Sequence, residues 1–163
     1  MARRSRVLQL LFPLMILACG VLLADANSTA ANELSPARNL ADDGLQATRT
    51  GRPVLLFFTL SGCPFCERAR REYLSPMARE AVAGSGPIFR EVAIESSLVD
   101  FDGRRSAARE VAARFKVRVF PTVVLVDGNG QIIAEPLVGI AVPDFYAAYL
   151  DQRIATAFQR IRQ

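Results

Sequence analysis

The chain has 163 residues, 51% apolar and 22% charged, with a formal net charge of +4 and no histidine at all. Without imidazole there is no Ser-His or Cys-His hydrolase pair, no histidine-ligated zinc site and no histidine-held haem, so catalysis must rest on thiols, carboxylates or hydroxyls. Three of the positive charges, Arg3, Arg4 and Arg6, sit at the extreme N-terminus, and no basic block that could track a nucleic-acid backbone follows them, which argues against nucleic acid as a partner.

Residues 7–24 are apolar almost throughout, and Ala24-Asp25-Ala26 places small residues two apart before a polar stretch. With the basic start, this is the pattern of a secretory signal over residues 1–26. The same apolar segment is long enough to stay as an uncleaved membrane anchor, its basic end held in the cytoplasm and the rest facing outward. A third reading, lipid attachment at Cys19, fits less well because apolar residues continue beyond it. Cleavage after Ala26 discards Cys19 and leaves two cysteines, Cys63 and Cys66.

Residues 27–50 read as a lead-in with one small helix around 42–48, and residues 51–163 as the folded domain. The run 54–59 is apolar up to its closing Thr59 and of strand length, which predicts a central buried strand. A Ser61-Gly62 turn follows, and a helix over 63–74 carries Phe65, Cys66, Ala69 and Tyr73 at helical spacing, with Arg68, Arg70, Arg71 and Glu72 between them. Pro64 suits the first helical turn, whereas Pro76 is expected to break or kink the helix after Ser75, with 77–82 resuming it. A turn over 84–87 leads to a second strand over 88–94, then a loop over 96–105. Ser106 is placed to cap a helix running to about Phe115. A β-branched strand over 122–126 meets the hairpin signal Asp127-Gly128-Asn129-Gly130, and 131–135 returns. Pro143 or Asp144 opens a final amphipathic helix carrying Phe145, Tyr149, Ile154 and Phe158. Alternation followed by a hairpin predicts an α/β domain, a mixed sheet with helices on both faces.

The chemistry lies in the two cysteines. A helix N-terminus offers unpaired N–H groups and the positive end of the helix dipole, which stabilise a thiolate and make Cys63 a nucleophile near neutral pH. Cys66, one turn on, can close a disulfide with it. Two other uses of the pair stand beside this one. A fixed structural disulfide on a binding module would close a negligible loop and constrain the unfolded chain very little. A Cu(I) carrier would hold the metal between two thiolates, but no Met-rich or histidine supplement accompanies them.

Across residues 52–150 the chain resembles the thioredoxin superfamily: a CxxC at a strand-to-helix junction, Val119-Phe120-Pro121-Thr122 entering a later strand, and a glycine hairpin followed by Gly139 and a terminal helix. The loop Val99-Asp100-Phe101-Asp102-Gly103 looks like that of the periplasmic SoxW-type thioredoxins. The resemblance implies a thioredoxin-like fold and a thiol-disulfide oxidoreductase, with Cys63 attacking and Cys66 resolving. Pro121 would be cis beside the disulfide, leaving the Phe120 backbone to pair with an extended substrate segment, and Pro64 and Phe65 would contact partners. It further implies protein disulfide substrates, a membrane thiol-reducing protein as electron donor, a monomer in the periplasm, and no cofactor or metal. The SoxW-type likeness favours a reductase.

There are three departures from the family pattern. Gly62 stands where many thioredoxins have Trp, and Phe57 where many place a buried acid that helps deprotonate the second cysteine. Glu67 and Glu95 are then the candidate bases, each also readable as an ordinary surface carboxylate. The pair between the cysteines is Pro64-Phe65 rather than Gly-Pro, closer to the Pro-Tyr of glutaredoxins, which bears on the redox poise.

Overall fold

The computed structural model describes residues 34–81 and 85–163; the proposed signal, anchor and lipidation segment, Cys19 and part of the 84–87 turn lie outside them. A five-stranded mixed sheet forms the centre. β2 (Val54–Thr59) is flanked by parallel β3 (Ile88–Ala93) and antiparallel β6 (Thr122–Val126). β1 (Ser35–Pro36) adds in parallel to β3, and β7 (Leu137–Val138) adds antiparallel to β6.

The unbroken apolar run of β2 follows from its central place. Val54, Leu56 and Phe58 face one core cluster while Leu55 and Phe57 face the other, and both sides are covered. Each buried Leu or Phe on this strand contributes about 1.5–3 kcal/mol by leaving water. On the first side lie α1 (Leu40–Thr50) and α4 (Ala108–Arg114), through Leu40, Ala47, Ala108 and Val111. On the second lie α2 (Pro64–Ala69), α3 (Ser75–Glu80) and α5 (Pro143–Ile161), through Cys66, Ala69, Ala78, Tyr146 and Leu150. The architecture is the mixed sheet with helices on both faces that the element order predicts.

Several elements differ from the sequence reading, each for a local reason. The described part of the lead-in, residues 34–50, contributes to the core: its helix runs from Leu40, capped by Asn39 Oδ1 accepting from the N–H groups of Ala41 and Asp42, and Ser35–Pro36 joins the sheet. Gly44 of α1 faces Gly128 so closely that a Cβ on either would collide with backbone, which explains why both are glycine.

Pro76 neither breaks nor ends its helix. Ahead of it the chain widens into a π-helical turn over Arg70–Leu74, in which the Ser75 N–H donates to the Arg70 carbonyl five residues back. The wider turn takes up the missing donor and the bulk of the proline ring, and α3 continues through it.

The expected loop over 96–105 contains a ribbon instead: β4 (Ser97–Val99) pairs antiparallel with β5 (Arg105–Ala107). Ser106 is paired with Leu98 in that ribbon and so is not the helix cap; Ala107 takes the cap position, without a side-chain bond. The predicted return strand over 131–135 shrinks to one bridge, Val126 to Ile132, because Asp127 Oδ1 curls the turn by accepting from the N–H groups of Asn129 and Gln131. Ladder pairing resumes at β7, in a register shifted by two residues. On α5 the buried stripe is Tyr146, Leu150 and Ala157, with Ile154 and Phe158 half-buried, while Phe145 and Tyr149 are exposed. Apolar residues sit on adjacent faces of this helix, so periodicity alone did not choose between them.

Candidate active site

β2 ends at Thr59, and Leu60, Ser61 and Gly62 carry the chain over the sheet edge to Cys63. Gly62 has φ of +69°, the left-handed region, so the residue before Cys63 is a glycine by backbone need and not by lack of space: a Cβ there would meet nothing within 4 Å. The Ser61 N–H is held by Glu95 Oε1 at 2.9 Å, which ties this turn to the end of β3.

Cys63 is the N-cap of α2, in extended conformation, with Pro64 at the first helical position. Its Sγ accepts from the Cys66 N–H at 3.1 Å, and its carbonyl accepts from the N–H groups of Cys66 and Glu67. A disulfide joins Cys63 and Cys66, with Cα atoms 5.3 Å apart. The two sulfur positions are unequal: Cys63 is half-buried at the surface, while Cys66 is fully buried against Phe57, Ala69 and Leu74. Attack from outside therefore reaches Cys63, and a thiolate there would keep the Cys66 N–H as a donor.

Phe65 is 61% exposed beside the disulfide and Pro64 is also exposed, so neither belongs to the core. The Phe120–Pro121 peptide bond is cis; Pro121 is buried, and Phe120 is half-buried, packing on the same apolar cluster as Cys63 and Cys66. The Pro121 carbonyl accepts from the Gly139 N–H at 2.7 Å, and Thr122 Oγ1 donates to the Val119 carbonyl.

Phe57, in the position where an acid was considered, is fully buried. Of the two candidate bases, Glu67 is exposed and bonded to Arg70, whose hydrogen bond and charge hold its carboxyl below the ordinary range. Glu95 is likewise exposed and held low, first by the Ser61 N–H. Both shifts make them weaker bases, and each already serves a structural partner.

A carboxylate of the sheet itself that lies on the Cys66 side is Glu91, which the sequence reading did not single out. It stands across from Phe57 on β3, takes a forked contact from Arg70, and accepts from Thr59 Oγ1 at 2.9 Å. Its cue in the sequence was only a charge inside a half-apolar strand. Arg68 and Arg71, by contrast, turn outward to Glu72, as solvated helix residues do. Among the described residues no His, Cys, Asp and Glu cluster fit to hold a metal ion is found.

A CxxC disulfide at a helix N-terminus, one sulfur reachable and one buried, at the end of the central strand of a mixed sheet, defines the class of thiol-disulfide oxidoreductases. The family model described as thioredoxin-like domain matches residues 40–154, and the chain belongs to that family. Among solved structures it is similar to DsbH oxidoreductase, at 23% identity over 86% of this chain and 95% of that one, with a TM-score of 0.56. It is also similar to the short form of thioredoxin f from spinach chloroplast, at 18% identity over 82% and 96% of the two chains, with a TM-score of 0.53. Among curated proteins none matches the chain significantly.

Proposed function

We propose that the protein reduces disulfides of other proteins in the periplasm, with Cys63 as nucleophile and Cys66 as resolving thiol. The observation that carries this reading is the unequal burial of the two sulfurs at the α2 N-terminus, Cys63 reachable and Cys66 enclosed. The Cys63 thiolate attacks a partner disulfide, forming a mixed disulfide and expelling one partner thiolate. Cys66 then attacks Cys63 Sγ, the second partner sulfur leaves as thiolate, and the Cys63–Cys66 disulfide remains. Two electrons pass to the partner, and a membrane thiol-reducing protein returns them.

Export rests on the sequence of residues 1–26, as a cleaved signal or a retained anchor. The subfamily likeness to SoxW-type thioredoxins rests on the loop 99–103, and it gives the reductase direction. A substrate segment lies extended against Phe120, for whose backbone no partner is found among the described residues, and touches Pro64, Phe65 and Pro121. One exposed site on one small domain suits a monomer.

Insulin reduction with dithiothreitol as electron source tests the activity. Wild-type protein at low micromolar concentration is expected to precipitate the insulin B chain, and Cys63→Ser to run at the uncatalysed rate. An inactive wild type, or an active Cys63→Ser, contradicts the reading.

A further inference from the structure

Arg70 and Glu91 form an ion pair under the redox helix. Arg70 stands one turn beyond Cys66, about 6 Å along the helix axis, and its own N–H reaches back to the Cys66 carbonyl. Its guanidinium turns inward to both Glu91 oxygens and outward to Glu67. Glu91 is held on its other side by Thr59, at the end of the strand that leads to Cys63. The side chains of Arg70 and Glu91 are 28% and 16% exposed, so their fields are less screened than those of surface charges.

The pair is a half-buried ion pair on the cysteine side of the sheet, and with Thr59 it ties the π-helical turn that follows α2 to β2 and β3. Arg68 and Arg71 are matched by Glu72 in solvent. Phe57, in register with Glu91 and in the same apolar cluster as Cys66, supplies no charge. A thiolate formed at Cys63 or Cys66 therefore feels the guanidinium as an attractive charge and the carboxylate as a repulsive one, each offsetting part of the other.

We propose that Arg70 and Glu91 are positioning residues that set the dithiol-disulfide equilibrium of Cys63 and Cys66 through their opposed charges. This rests on the redox reading of that site. Removing Glu91's charge leaves Arg70 less compensated, stabilises the thiolate form and makes the protein more oxidising. Removing Arg70's charge leaves Glu91 uncompensated and makes it more reducing. A pair that merely braced the helix would, when broken from either end, move the equilibrium the same way.

The experiment equilibrates full-length wild type, Glu91→Gln, Arg70→Met and the double variant with glutathione and its disulfide at pH 8, and measures the reduced fraction. The equilibrium constant is expected to shift about three- to tenfold towards the dithiol in Glu91→Gln, and about as far the other way in Arg70→Met. The double variant should return to within about twofold of wild type. Arg70→Lys, which keeps the charge but loses the fork, guards against misfolding and should also stay within about twofold. Shifts of the same sign in both single variants, or none beyond about twofold, overturn the proposal. Failure of wild type itself to exchange with glutathione overturns the redox reading instead.

Discussion

The two faces of the sheet are built from the same strands but put to different use. Consecutive residues of β3 illustrate it: Arg90 points to the first face and forks onto Asp43 of α1, while Glu91 points to the second and receives Arg70 of the π-helical turn after α2. On the first face the helix is continuous, conventionally capped and closely seated, with Gly44 against Gly128. On the second the helix opens on a disulfide, widens at Arg70–Leu74 and carries a proline beyond. A half-buried ion pair thus braces the scaffold on one side and lies a helical turn from reactive sulfur on the other.

Substitutions on the two faces should separate cleanly. The largest effect is on the second: Cys63→Ser should lower insulin reduction on the order of 10³-fold or more, while denaturant unfolding under reducing conditions stays near that of wild type. On the first face, Leu40→Ala removes a fully buried side chain and should cost about 2–5 kcal/mol in urea unfolding, with the glutathione equilibrium unchanged.

Asp43→Ala should cost about 1–3 kcal/mol by leaving Arg90 unpaired, again without moving that equilibrium. Burial pushes the Asp43 carboxyl above its ordinary pKa and Arg90 only partly offsets it, so the pair is an internal brace and no large source of stability. If Asp43→Ala moved the redox equilibrium as far as Glu91→Gln, the separation of the faces would fail.

Phe65→Ser should raise KM for a protein substrate about three- to tenfold and leave stability within about 0.5 kcal/mol, since that ring is mostly in solvent. The smallest effect concerns Glu95, whose carboxyl is held low mainly by the Ser61 N–H. The stability it adds is present above the ordinary glutamate pKa of about 4.3 and fades as pH falls through the lower folded value. Glu95→Gln should therefore shift less between pH 6 and pH 3 than wild type does, read as the urea midpoint.

The strands β2 and β6 were legible residue for residue because a strand covered on both faces is a continuous apolar run, and both have that pattern apart from a terminal threonine. The cysteines and Pro64 were legible because a helix start has its own chemistry. What failed was set by tertiary partners. Ser106 has the composition of a cap, but Leu98 claims its backbone for the ribbon. Phe145 and Tyr149 have helical spacing, but Tyr146 and Leu150, one residue on, are the ones the sheet covers. Pro76 was expected to break or kink its helix, and the helix goes on through it by way of a turn that no local pattern announces. At the site the same division holds. Gly62 was noted as a missing aromatic, whereas its φ accounts for it, and Glu91 was invisible because its meaning depends on Arg70, 21 positions away.

The reduction potential of the Cys63–Cys66 couple against glutathione tests the central claim most directly. A reductase of protein disulfides requires a value near that of thioredoxin, about −270 mV, and this is the predicted result. A value near that of the strong periplasmic oxidants, about −120 mV, would contradict it and make the protein a donor of disulfides.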